Sequence, residues 1–366
     1  MKVLGTAAAV TAAAVVLTAC GGGPGGGGGK ISDDKIVLAV LNDQSGVYAD
    51  LSGKSSVEAV KLAVADFTKK YGDKAVTDDI EVVSVDHQNK PDVANSKAQE
   101  LYDRQKADVI LDVPTSSAAL AVANVAKAKK KIFMDVGAAT TALEGENCNK
   151  YTFHYGYNTY MLANGTGATV TEDGAKNWYI VYPDYAFGQD MEKSFSTAVK
   201  TAGGTVVKSD PAPFPNDNFS TFLLKAPGLK PKPEVIGTMQ AGGDLVNLVK
   251  QYNEYKLKSK GIGLAVGLMF ITDIHSLGSD ALAGTKFTDA WYWNASPANR
   301  AWADRFQAVA GKRPSFPNAA NYSAATQYLE GVQRSGTDAS DDVVKQLEGL
   351  KFNDAFAQNA TIRAQD

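Results

Sequence analysis

From residue 35 onward the chain alternates short runs of branched apolar residues with longer stretches of helical periodicity. The apolar runs at 36–41, 80–85, 109–113 and 132–136 are short and nearly continuous, which predicts strands buried on both faces. Between the first two, Val57, Val60, Val64 and Phe67 recur every three or four residues and predict a helix with one apolar face. Ser55 and Glu58 have capping-box spacing at its start. A second series begins at Trp178, with strands predicted over 178–182, 206–208, 234–239 and 263–267 and helices over 187–201 and 244–255. Such alternation builds parallel sheets flanked by helices, one in each of two lobes, an α/β architecture. Past Phe287, Trp291 and Trp293 alternate in a strand-like run, so both rings should face one side. Helices over 298–310, 319–332 and 341–350 are then placed to return over the first lobe.

The first 34 residues break this pattern. Lys2 precedes an Ala/Val-rich stretch ending in Leu17-Thr18-Ala19-Cys20, and a segment of almost pure glycine runs on to Gly29. A charged start, a short apolar middle and small residues before a cut mark a secretory signal, and the stretch is too short to span a membrane as a helix. The cysteine at the cut makes residues 1–20 look like a lipoprotein signal, with Cys20 lipidated as the first residue of the mature chain. Residues 21–34 then form a Gly-rich tether that cannot bury apolar surface. The expected location is extracytoplasmic, in the periplasm or at the cell surface, with the lipid as the only membrane anchor.

The rest of the chain exceeds the ~250–300 residues at which one hydrophobic core stops growing, in keeping with two lobes. A net charge of −3 supplies no basic field for nucleic acid. With two cysteines in all, one of them Cys20, no disulfide framework holds the fold.

In parallel sheets ligands collect at the carboxyl ends of strands, where helix N-termini present free N–H groups. Two such ends are rich in small and hydroxyl residues: Pro114-Thr115-Ser116-Ser117 and Gly137-Ala138-Ala139-Thr140-Thr141. Both suit a carboxylate, since short side chains admit the anion to backbone donors and each hydrogen bond to a charged group contributes roughly 1.5–3 kcal/mol. Ser116 and Thr140 equally suit plain helix caps. Gly53-Lys54-Ser55 resembles the end of a phosphate-binding loop, but Tyr48 stands where that loop needs its first glycine. Gly165-Thr166-Gly167 lacks the third glycine of a dinucleotide site and lies in a helical pattern. Enzymatic readings lack parts, with three histidines (His87, His154, His275) and neither a nucleophile elbow nor a His-Glu-x-x-His pair. Asp86-His87 after a strand suits a local hydrogen bond better than half a triad or metal site. The aromatics Tyr48, Tyr155, Tyr157, Tyr182, Tyr185, Phe187, Phe270, Trp291, Tyr292 and Trp293 fall at predicted strand ends or crossings, where they suit a cleft that desolvates a small ligand.

Several long segments in order resemble the extracytoplasmic solute-binding proteins of ABC importers, in the type I, branched-chain amino acid-binding family. They are Leu41 to Asp50, Asp86 to Lys90, Gly137-Ala138-Ala139-Thr140, Pro183-Asp184-Tyr185-Ala186-Phe187-Gly188, Met269 to His275 and Trp291-Tyr292-Trp293. The likeness is closer to a subgroup some of whose members bind small or aromatic carboxylates than to the Leu/Ile/Val binders proper. It implies the type I periplasmic binding protein fold: two Rossmann-like lobes joined by three hinge crossings, here near Tyr157, Asp289 and Leu350. Lobe 1 would then comprise 35–157 plus 290–350 and lobe 2 158–289 plus 351–366. Relatives continue through a returning strand and a further cysteine, so an incomplete second lobe is also expected.

By the same resemblance, Ser116 with its neighbour Thr115, and Ala138, Ala139 and Thr140, would hold the ligand's carboxylate and amine. The second-lobe tyrosine would be Tyr185 or Phe187, with Tyr48 and Phe270 lining the pocket. Asp273 is the nearest candidate to neutralise an ammonium, although its surroundings match the amino-acid motif loosely. The implied function is a non-enzymatic receptor, without cofactor or metal, that captures a small carboxylate or amino acid and delivers it to a membrane permease. The alternatives are a ligand-sensing lipoprotein acting on a signalling partner and, further off, a hydrolase.

Overall fold

The structure is a computed structural model and describes residues 31–364. The predicted signal with Cys20, and all of the tether but 31–34, lie outside the described residues. Two five-stranded parallel sheets dominate, as the alternating pattern predicts. The first comprises β1 (Ile36–Asn42), β2 (Ile80–Asp86), β3 (Val109–Asp112), β4 (Ile132–Asp135) and β5 (Thr152–His154), in the order β2-β1-β3-β4-β5. The second comprises β6 (Asn177–Pro183), β7 (Thr205–Ala212), β8 (Val235–Thr238), β9 (Gly263–Val266) and β10 (Lys286–Phe287), in the order β10-β9-β8-β6-β7.

Strand β1 shows why continuous apolar runs mean buried parallel strands. Its alternate residues Val37, Ala39 and Leu41 pack with α2 (Pro91–Asp103) and α3 (Ser116–Lys129), through Ala98, Leu101, Ala119 and Val122. Ile36, Leu38 and Val40 join the opposite cluster, with Val57, Val60 and Phe67 of α1 (Gly53–Tyr71) and residues of α11 (Phe316–Ser335). That cluster continues into the second lobe through Trp178, Ile180 and Phe195 of β6 and α6 (Ala186–Thr201). The other face of the second sheet packs Tyr179 and Val181 against Leu245, Leu248 and Val249 of α8 (Gly242–Glu254). A continuous helix joins the sheets: α4 (Thr159–Leu162), a π-helical stretch over Ala163–Ala168, and α5 (Thr169–Glu172). Gly165-Thr166-Gly167 lies within it, packed closely against Thr288 and Phe195.

Several local expectations are corrected. Helix α1 starts at Gly53, ahead of the predicted cap; Ser55 Oγ instead donates to Ser52 O at 2.7 Å and Glu58 pairs with Lys61. Residues 291–293 form no strand, because no partner strand lies beside them; Trp291 is buried, Tyr292 exposed, and Arg313 sits 4.3 Å from the centre of the Trp293 ring. Helices α10 (Pro297–Ala310) and α11 pack on α1, and α12 (Ser340–Leu347) on α11, as predicted for segments returning over the first lobe. The hairpin β11–β12 (Lys351–Phe352 and Ala360–Thr361), in the segment assigned in sequence to lobe 2, meets Tyr155, whose ring stacks 6.1 Å from both Phe352 and Phe356. Phe356 also meets Phe316, at 5.5 Å. Among the described residues no helix is long and apolar enough to cross a membrane.

Candidate functional site

The carboxyl ends of the first sheet carry a row of polar residues: Asn42, Asp86, Asp112, Asp135 and His154 are the last residues of β1 to β5. Asp112 and Asp135 are register partners on adjacent strands and both are fully buried. Asn42 Nδ2 donates to Asp112 Oδ2 at 2.9 Å, and Ser52 Oγ donates to the same oxygen. Asp112 and Val113 have φ of 83° and 62°, a left-handed exit from β3 that side chains rarely adopt. The exit turns Pro114 toward Gly137, where an added Cβ would lie 2.7 Å from Pro114 Cα. Only glycine fits there.

Above this floor lies a narrow cavity of about 20 Å³ between the two lobes, room for about one water as the lobes stand. Tyr48, Leu51, Pro114, Gly137, Ala139 and Tyr157 line it from the first-lobe side, and Tyr185, Phe187, Ala241, Leu268 and Phe270 from the second. Tyr48 and Tyr185 join their hydroxyls across it at 2.6 Å, while Tyr157 OH donates to Gly137 O at 3.0 Å. Burial raises all three phenols above their ordinary range, so they act as neutral hydrogen-bonding groups. None of the lining residues is charged. Further contacts hold the lobes together: Gly243 N donates to Val47 O at 2.9 Å, Thr141 N to Asp190 Oδ2 at 2.7 Å, and Ala186 N to Ser117 Oγ at 3.4 Å.

Of the candidates from sequence, the structure brings Tyr48, Ala139, Tyr185, Phe187 and Phe270 together around the cavity. Both members of the undecided pair line it, with Tyr185 and Phe187 rings 5.9 Å apart. The remaining five stand behind this lining. Thr115 Oγ1 donates to Asn89 Oδ1. Ser116 Oγ accepts from Ala139 N at 3.4 Å and Thr140 Oγ1 from Ala142 N at 3.3 Å. Ala138 O bonds to His154 Nε2 at 2.9 Å. Asp273, in the first turn of α9 (Ile271–Leu277), accepts from Phe270 N at 2.9 Å; burial pushes its carboxyl up to about 7. His87 Nδ1 accepts from Asn89 N at 3.0 Å, a local bond, and burial pushes the ring down to about 4. Tyr157 was legible as an aromatic at a crossing but not as a lining residue. Leu51, Ala241 and Leu268 carry no signal that separates them from ordinary core, whereas Pro114 and Gly137 fall in the two strand-end segments singled out in the sequence. Among the described residues no group of three or more His, Cys, Asp or Glu could hold a metal ion.

A family model described as "Periplasmic binding protein" matches residues 35–366. A periplasmic binding protein from Burkholderia mallei is 42% identical, with a TM-score of 0.85 over 91% of this chain and 86% of that one. A branched-chain amino acid ABC transporter periplasmic ligand-binding protein from Burkholderia xenovorans is 36% identical, with a TM-score of 0.77 over 90% and 86%. A solute-binding protein from R. palustris, solved in complex with benzoate, shares the fold at 22% identity, with a TM-score of 0.75 over 88% of each chain. No curated protein matches the chain. The family match over nearly the whole described chain, the two parallel sheets and the cavity between their strand ends agree, and the chain belongs to the periplasmic binding protein family.

Proposed function

We propose that this chain is the solute receptor of an ABC importer and that its ligand is a small, amine-free carboxylate with an apolar or aromatic body. The uncharged lining of the cavity carries this reading. An ammonium enclosed there would meet no carboxylate in the lining, and the floor carboxyls Asp112 and Asp135 are held above their ordinary range by burial, which disfavours the charged forms an ammonium needs. Asp273 is committed to the Phe270 amide and its raised carboxyl resists ionising, which fits it poorly for that task. A carboxylate finds better partners. Ser116 Oγ and Thr140 Oγ1 each accept from a backbone N–H, which leaves the hydroxyl protons to donate to a ligand. The aromatic walls would desolvate the ligand's body.

In this reading the lobes, 35–157 with 290–350 and 158–289, hinge near Tyr157 and Asp289. The hairpin at 351–361 rests against the first-lobe edge at Tyr155. Cys20 bears the lipid that holds the receptor near its permease. Calorimetry with benzoate, the simplest aromatic carboxylate, tests the assignment. Ser116→Ala with Thr140→Ala should weaken binding by roughly 2–4 kcal/mol while hardly changing the fold. Unchanged affinity would put the carboxylate elsewhere, and tight binding of an α-amino acid with its nitrogen on Asp273 would overturn the amine-free assignment.

A further inference from the structure

A backbone-to-backbone contact between the lobes lies beside the cavity, where the first turn of α8 meets the β1–α1 loop. Gly243 N donates to Val47 O at 2.9 Å. Gly242, with φ of 57°, lies so close that an added Cβ would collide with that same carbonyl oxygen and stand 3.0 Å from Tyr48 Cδ1 and 3.3 Å from Leu51 Cδ2. Tyr48 and Leu51 both line the cavity, so this contact is continuous with the ligand's walls.

We infer that Val47 and the Gly242-Gly243 pair form the closure latch of the receptor, with Gly242 the residue that lets the jaws meet. The inference rests on the reading of the cleft as a ligand site that opens and closes. Its logic is steric. A side chain at 242 carries the strain of a positive φ whether the lobes are apart or together, and in addition strikes a rigid backbone carbonyl as they close, so this extra cost falls on the closed state. Apparent affinity scales with the fraction of molecules able to reach the binding-competent state, and a propped jaw lowers affinity without touching the ligand. The Asp190–Thr141 contact differs, because Asp190 also accepts from Thr159 Oγ1 at 2.8 Å, beside the first crossing.

The geometry offers a direct test. An added Cβ on Gly243 would lie 3.5 Å from Val47 Cβ, within the ~3.5–4.5 Å typical of disulfides. In the full chain carrying Val47→Cys and Gly243→Cys, oxidation should therefore link the lobes. Adding Gly242→Ala should slow the linkage by about tenfold or more, with thermal unfolding confirming an intact fold. Equal linkage rates with and without Gly242→Ala overturn the latch. Should Gly242→Ala fail to fold, the cysteine pair decides alone: linkage supports the latch and its absence from the folded protein overturns it. Benzoate binding by the wild-type chain is read separately. Failure to bind alongside a Gly242-dependent linkage would refute the ligand assignment and leave the latch standing.

Discussion

The two sheets meet the same cavity with opposite chemistry. Strands β1, β3, β4 and β5 end in Asn42, Asp112, Asp135 and His154, whereas β6, β7, β8 and β9 end in Pro183, Ala212, Thr238 and Val266. On the first side Asp112 collects donors from Asn42 and Ser52, and Asn318 of α11 donates to Ser55 and Ser56 at 3.0 and 3.2 Å. These bonds tie β1, β3, α1 and α11 together without help from the second lobe. A buried polar network of this kind rigidifies its surroundings. The second lobe offers aromatic and aliphatic surface instead, which can meet a partner in the absence of exact hydrogen-bond geometry. The first lobe thus resembles a fixed base and the second an apolar cover.

The sharpest way to break this comparison is Asp112→Ala. It removes one acceptor from each of two buried donors, leaving Asn42 Nδ2 with Gly53 O at 2.8 Å and Ser52 Oγ with Ser56 Oγ at 3.2 Å, so unfolding in urea should show a loss of roughly 2–4 kcal/mol. Thr238→Ala, at the end of β8, removes one acceptor from Gln240 N at 3.2 Å and should cost about 1 kcal/mol. Equal losses would mean that the base is no more networked than the cover.

A middle-sized effect is read from pH. Burial pushes Asp244 and Asp273 up to about 7 and Asp289 up to about 8, and raises Asp112 and Asp135 in the base. Each holds its proton more tightly folded than unfolded. The stabilisation is therefore complete below the unfolded carboxyl pKa near 4 and is lost as pH rises through 7 to 8. Thermal unfolding should show a more stable protein at pH 5 than at pH 8, and Asp273→Asn should flatten part of that slope while retaining an acceptor for Phe270 N. A slope of opposite sign would show these carboxyls ionised in the folded chain.

The smallest effect concerns the seam itself. Tyr48→Phe or Tyr185→Phe leaves one buried hydroxyl without its partner at 2.6 Å and should cost about 1 kcal/mol, with the double substitution costing less than the sum. Additive losses would show that the two hydroxyls are not coupled.

Much of the framework was legible because period and burial speak locally. The unbroken apolar run of β1 and the spaced valines of α1 need no tertiary context. Thr152–His154 was missed because three residues make no period, and 291–293 misled because alternation without a partner strand is only alternation. The site was legible in part. Tyr48, Tyr185 and Phe270 stand out as aromatics at strand ends, while Leu51 and Leu268 reach the cavity through chain geometry that no neighbouring residue announces. Asp273 answers to two readings at the motif level, since a carboxylate in a helix's first turn can serve its own backbone, as it does at Phe270 N, as well as a ligand.

Trp291 carries a practical consequence. Its indole N–H donates to Ala355 O at 2.9 Å and its ring meets Trp302 edge-on at 5.7 Å, beside the proposed second crossing. A rotation of the lobes about that crossing changes the polarity and quenching around the indole. With the lobes moving as proposed, the indole would serve as an optical gauge, and intrinsic fluorescence in a stopped-flow mixer should time that movement without any attached dye.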